Sequence, residues 1–188
     1  MRTHRQLVVY QSILQVLHEP VCPLCKFLKE YQAGRLQKRS ESETHRLCNF
    51  HAWGLAAVQD APAAAEAFIG ILSEPESVAN GTQACDVCSE VRAEEDLRIR
   101  ELATCLHRPD VADWLRTEAV LCVPHATKLR REVPPVLAAR IDAIVQNCRR
   151  QLKEQLDQLR NEPDMDRNGW GALGRAAEFL VSQRGLRV

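Results

Sequence analysis

The sequence predicts an all-α fold built from two similar helical units, followed by a long C-terminal core helix and a closing helix. Two observations carry this expectation. Apolar residues recur at steps of three and four between turn signals, which is the period of one helical face, and no segment shows the alternation of a strand. Cysteine and histidine also come in pairs with two residues between them: Cys22 with Cys25, Cys48 with His51, Cys85 with Cys88, and Cys122 with His125. Residues three apart share one helical face, so each pair suits the first turn of a helix.

Residues 3–18 place Leu7, Val8, Ile13, Leu14 and Leu17 on one face, and Pro20 ends that helix. A second helix follows over 24–39, with Leu24, Phe27, Leu28, Tyr31 and Leu36 on its buried side. Ser40 to Thr44 is a polar linker, and Cys48 opens a third helix bearing Trp53, Leu55 and Val58. Asp60 can cap the next helix, over 62–73, which has Pro62 in its first turn and Phe68, Ile69 and Leu72 expected inward. Pro75 to Gln83, with Asn80-Gly81, is a turn-rich connection that marks the boundary between halves, 1–79 and 80–188, expected to form one compact domain.

The second half replays the first. Cys88 leads into a charged helix with Val91, Leu97, Ile99 and Leu102, interrupted at Arg108-Pro109-Asp110. A short helix with Val111, Trp114 and Leu115 delivers the chain to Cys122, and a helix from His125 runs to about Val133 before Pro134-Pro135 restarts it. The order Cys-x-x-Cys helix, Cys-x-x-His helix, proline, apolar helix thus occurs twice and implies an internal duplication. The segment from Val136 to Arg160 is the longest, and its stripe Leu137, Ile141, Ile144, Val145, Cys148, Leu152, Leu156 and Leu159 suits a core helix or a homodimer seam along 136–160. Trp170 to Val181 closes the chain with Leu173, Ala177, Leu180 and Val181 expected inward. Cys105 and Cys148 have no partner at ligand spacing and read as small buried residues.

Two complete Cys3His sets in the same order imply two metal ions per chain, with zinc the expected ion. Structural zinc takes four thiolate and imidazole ligands in a tetrahedron and leaves no position for substrate. Three thiolates and a divalent cation leave a net negative charge, which helix N-termini favour. His45 also stands three residues from Cys48, but the corresponding position before Cys122 is Ala119, so His51 is the preferred ligand. Pairing within each repeat closes 22 and 33 residues, whereas a site joining the outermost pairs closes 96. The loop-entropy difference is only about 1 kcal/mol. Pairing within repeats is favoured on that ground, and pairing across repeats stays open. An iron–sulfur cluster on the same ligands is the alternative cofactor, although ferredoxin spacings are absent.

Composition narrows the function classes. Lys plus Arg and Asp plus Glu are 25 each, so a protein whose main work is to grip a phosphate backbone is disfavoured, despite the basic stretches at Lys26, Lys29, Arg35, Lys38 and Arg39 and at Lys128, Arg130 and Arg131. There is no apolar run long enough to span a bilayer and no secretory h-region, and six of eight cysteines are taken by ligand sets, so a cytoplasmic location without membrane association is expected. No Gly-rich phosphate loop appears, and Asp164 with Asp166 has no evident metal partner, so no catalytic residue is assigned. The expected role is a non-catalytic zinc protein that presents a helical surface to a protein partner.

At the level of Cys22-Pro23-Leu24-Cys25, Cys48 to Trp53, Cys85 to Cys88, Cys122 to His125 and the segment around Trp170, the chain resembles a bacterial family of helical proteins catalogued as a domain of unknown function. It departs from that family at Leu47, where an aromatic residue often precedes the third cysteine. The resemblance implies a helical fold and metal binding, and it implies no activity.

Overall fold

The computed structural model describes residues 11, 15–17, 19, 21–38, 47–72, 85–117, 119–161 and 169–182. Of these, 86% are helical, and no β-strand occurs among them beyond an isolated bridge residue at Leu47. The helices are α1 (Pro23–Gln37), α2 (Asn49–Val58), α3 (Ala61–Leu72), α4 (Asp86–Cys105), α5 (Pro109–Thr117), α6 (Val123–Leu129), α7 (Pro135–Asn161) and α8 (Gly169–Val181), with a 3-10 turn at Arg130–Glu132. The all-α expectation holds. Most of the helix expected over 3–18, the linker 40–44, His45 and the connection 75–83 lie outside the described residues.

The chain divides into two compact units, one of residues 27–96 and the other of residues 1–26 with 97–188. These run differently from the sequence halves 1–79 and 80–188, because α1 and α4 each belong partly to both units.

The unit 27–96 is centred on Leu28, Leu36, Leu55, Val87 and Val91, all buried. Burying a leucine side chain contributes about 1.5–3 kcal/mol, so these few residues supply most of the apolar drive of a small unit. Two polar contacts fix the helix ends. Gln59, just past α2, donates from Nε2 to the Leu36 carbonyl at 2.7 Å, and Asp60 Oδ1 accepts from the Ala63 amide at 2.9 Å, the capping role its position predicts. Gly54 lets α2 approach α1 closely: a Cβ there would stand 3.0 Å from Leu36 Cδ1. In α3 the expected inward face is not the one observed. Ile69 is 62% exposed and Phe68 only half-buried, while Ala64 and Ala67 are buried. The large residues offered the stronger sequence signal, but the small ones permit closer helix contact.

The unit of 1–26 with 97–188 holds the larger core, with Leu24, Leu102, Leu106, Leu121, Leu129 and Ile141 fully buried. The short helix α5 begins with Pro109 and buries Val111, Trp114 and Leu115 as expected, and the Ala112 amide bonds the Arg108 carbonyl at 2.8 Å. Pro134 restarts the chain as α7, its carbonyl accepting from the amides of Leu137 and Ala138. α7 packs against α5, α6 and α8; Ile141 is buried and the rest of its stripe is half-buried. For α8 the expectation is corrected by one residue. Ala172 and Phe179 face the core, whereas Leu173, Leu180 and Val181 are exposed, the last two at 58% and 68%. A step of one residue turns a helix by about 100°, enough to exchange the faces. The helix ends at Ser182, a non-glycine residue with φ 72°.

Candidate metal centres

The structure brings together all eight sequence-predicted ligands, in two buried groups of four: Cys22, Cys25, Cys122 and His125; and Cys48, His51, Cys85 and Cys88. Each group lies within one compact unit. The pairing favoured by loop length is therefore wrong. The Cys-x-x-Cys of the first half meets the Cys-x-x-His of the second, and the inner two pairs meet each other, so the sites are nested along the chain.

Chain length offers no obstacle to the nested arrangement. The inner loop from His51 to Cys85 spans 33 residues, no more than the corresponding loop within the second repeat. Once it is closed, the outer loop is shortened as well, so the small entropic preference for pairing within repeats disappears.

All four half-sites use one local device. Cys22, Cys48, Cys85 and Cys122 each stand just before a helix, their carbonyls accepting from the amides of Lys26, Ala52, Ser89 and Ala126 at 3.1, 2.9, 3.1 and 2.9 Å. Cys48 and Cys122 have extended backbone, with φ −76° and ψ 163° at one and φ −72° and ψ 155° at the other. The second ligand of every pair sits on the first turn that follows, where helix N-termini favour the negative charge of thiolates. Pro23 and Pro124 occupy the first turn at no cost, because their missing amides have no partner there.

The distances match those of a single tetrahedral ion. Metal–sulfur and metal–nitrogen lengths of about 2.3 and 2.0–2.1 Å place tetrahedral ligands about 3.8 Å apart for sulfur pairs and about 3.6 Å apart for sulfur–nitrogen pairs. In the first cluster Cys25 Sγ is 3.6 Å from Cys122 Sγ, and His125 Nδ1 is 3.5, 3.3 and 3.1 Å from the sulfurs of Cys22, Cys25 and Cys122. In the second, Cys48 Sγ is 3.7 Å from Cys88 Sγ, and His51 Nδ1 is 3.4, 3.3 and 3.4 Å from those of Cys48, Cys85 and Cys88. Disulfide sulfurs stand about 2.05 Å apart. All eight cysteines are free.

Within each cluster the thiols are shifted in opposite directions. Burial opposes ionisation of Cys22, but hydrogen bonds with Cys122, Cys25 and His125 and the charge of His125 outweigh it and hold Cys22 well below the ordinary thiol range. Hydrogen bonds to Cys22 and Cys25, burial and the charge of both push Cys122 far upward. In the second cluster burial is again outweighed: main-chain and side-chain hydrogen bonds from His51, Cys88 and Cys85 lower Cys48, and those from His51 with its charge lower Cys85. Cys88 is pushed up to about 12 by burial and by Cys85 and Cys48. Buried thiols that compete for charge in this way would all be held as thiolates by a divalent cation, so the donor set fits a bound metal.

His51 has an outer partner that the sequence did not reveal. Its Nε2 lies 3.2 Å from Oε1 of buried Gln32, which fixes Nδ1 as the nitrogen facing the sulfurs. A glutamine on the buried side of an otherwise apolar helical stripe was the available signal. Cys105 is buried as expected, and Cys148 is half-buried. No helix among the described residues is long and apolar enough to cross a membrane.

No family model, curated protein or solved structure matches the chain.

Proposed function

We propose that the chain is a non-catalytic zinc protein in which two structural Cys3His sites each bind one Zn2+ and hold helix starts together in pairs, so that the helical surface is presented to a protein partner. The carrying observation is the convergence of four buried donors, in each cluster, at the separations of one tetrahedral ion. A multi-iron cluster spreads its ligands over different metal atoms, so this convergence favours a mononuclear ion over iron and sulfide. Four protein ligands leave no open position for water, which supports a structural role.

Zinc binding by such ligand sets contributes about 10–16 kcal/mol, comparable with the whole net stability of a domain. Removal of the ions is then removal of a large part of what holds the fold. The reading of a protein partner rests on exposed apolar residues, Trp53 at 73% on α2 and Leu173, Leu180 and Val181 along one face of α8. Nucleic acid is the less favoured partner because cations of the basic stretches face acids: Arg35 makes two bonds to Glu90 at 2.7 and 2.8 Å, Lys26 pairs with Glu19, and Arg130 with Asp142 at 3.0 Å. Eight free thiols suit a reducing cytoplasm.

Metal content by plasma mass spectrometry, on protein purified without added metal or a histidine tag, tests the reading together with a visible spectrum. Two zinc ions per chain and no colour support it; sulfide-to-iron absorption or a metal-free protein overturns it.

A further inference from the structure

A cavity of about 210 Å³ has four of the eight cysteines in its wall: Cys22, Cys25 and Cys122 of the first cluster, and Cys148 of α7. Half-buried Cys148 shares this wall with Val120 and Leu121, the segment that delivers the ligand Cys122. Leu152, Phe179, Gln151, Gln155, Arg175 and Glu178 line the same space, and of all these side chains the sulfurs are the ones a peroxide oxidises. A water occupies about 30 Å³ in the liquid, so the cavity admits a small hydroperoxide readily. Metal coordination keeps Cys22, Cys25 and Cys122 as thiolates, the form that oxidants attack, while Cys148 belongs to neither ligand set.

We propose that the first cluster is a hydroperoxide-sensitive centre and that Cys148 is its resolving thiol. The inference rests on the zinc reading of that cluster and adds a modification site to it. A hydroperoxide takes two electrons from one ligand sulfur. Its O–O bond breaks, one oxygen remains on the sulfur as a sulfenic acid, and the other leaves as water or, from an organic hydroperoxide, as an alcohol. Cys148 then attacks the sulfenic sulfur: an S–S bond forms, the S–O bond breaks, and the oxygen departs as water with the thiol proton. Two thiols and one hydrogen peroxide give one disulfide and two waters. The cluster loses a ligand and releases its ion, and a dithiol reductant restores the set.

The test uses the full chain loaded with zinc sulfate and treated with hydrogen peroxide. Released zinc is read with a chromogenic chelator, and disulfides by peptide mass mapping after thiol blocking. The expected result is loss of one of the two ions, a disulfide from Cys148 to a cysteine of the first cluster, and rebinding of that ion after dithiothreitol. In Cys148→Ser the oxidised ligand has no captor and proceeds to sulfinic acid, which dithiothreitol does not reverse, so rebinding is lost. Cys148→Ala with circular dichroism separates this from misfolding. Cys148 still reduced while the cluster is oxidised, or full zinc recovery in both variants, overturns the proposal. Zinc content before oxidation judges the metal reading separately, and the peptide map of metal-free protein reads capture by Cys148 whether or not zinc binds.

Discussion

Gln32 and His51, on different helices, meet through Oε1 and Nε2 at 3.2 Å, with both side chains buried. The contact orients the imidazole of the second cluster from outside, and nothing equivalent is needed from the sulfurs themselves. Gln32→Leu is expected to weaken zinc binding at the second cluster by about 10–100-fold while leaving the first unchanged. Competition titration with a chelator of known affinity checks this: two ions lost in parallel would refute an oriented second site.

The nested pairing has a direct consequence for double substitutions. Cys22→Ser with His125→Ala strikes one cluster and is expected to leave one zinc per chain; Cys22→Ser with Cys48→Ser strikes both and is expected to leave neither site complete. Pairing within repeats requires the reverse ranking. Zinc counted per folded chain decides between them.

Metal-free protein has a pH dependence whose sign is set by the raised thiols. Cys88, pushed up to about 12, holds its proton more tightly folded than unfolded, where a thiol titrates near about 8.5. Such a group stabilises the fold below the unfolded value, and the contribution is lost as pH rises through the folded value. Cys122 acts in the same direction. Cys22, Cys48 and Cys85 are lowered, so their contributions are present above the ordinary thiol value and fade as pH falls through their folded values. Urea midpoints of metal-free protein are expected to fall on either side of about pH 8.5. In zinc-loaded protein the ion has replaced the protons and the alkaline loss should vanish; the same loss in both forms would sink this account.

Two helix-interior glycines should respond differently to alanine. A Cβ at Gly34 in α1 meets nothing within 4 Å, so Gly34→Ala is expected to stabilise by about 1 kcal/mol through helix propensity. At Gly54 the Cβ would stand 3.0 Å from Leu36 Cδ1, and the gain should be cancelled or reversed. Thermal midpoints of the two zinc-loaded variants, compared with wild type, give the answer.

Ser182 ends α8 with φ 72°, is 2% exposed, and its Oγ has no hydrogen-bond partner among the described residues. Ser182→Gly removes both the left-handed backbone penalty and a buried hydroxyl, and is expected to stabilise by about 1–2 kcal/mol. A lowered thermal midpoint would show that the hydroxyl does something useful.

The legible parts of this molecule are those decided within a few residues. Ligand type and the two-residue gap fix Cys22 with Cys25 or Cys122 with His125 on one helical turn, and the same local rule predicts α5 from Val111, Trp114 and Leu115. Which pair meets which is settled over longer range, where the only sequence criterion, loop entropy, separates the alternatives by about 1 kcal/mol and points to the wrong one. Faces were misread where apolar residues flank a helix on both sides. In α8, Leu173 and Leu180 each adjoin a buried neighbour, Ala172 and Phe179, and in α3 alanines displaced Ile69 from the interior. Gln32 was missed because a polar side chain is read as solvent-facing until its partner is seen.

Nesting also sets a timetable for the growing chain. Cys25 leaves the ribosome 97 residues before Cys122, and Cys22 earlier still, which at typical synthesis rates is about 5–20 s. The inner cluster is complete as soon as Cys88 emerges. Vectorial synthesis thus loads the second-born cluster first and leaves the earliest cysteine pair waiting half-coordinated, so nascent chains stalled before Cys122 are expected to carry one firmly held ion.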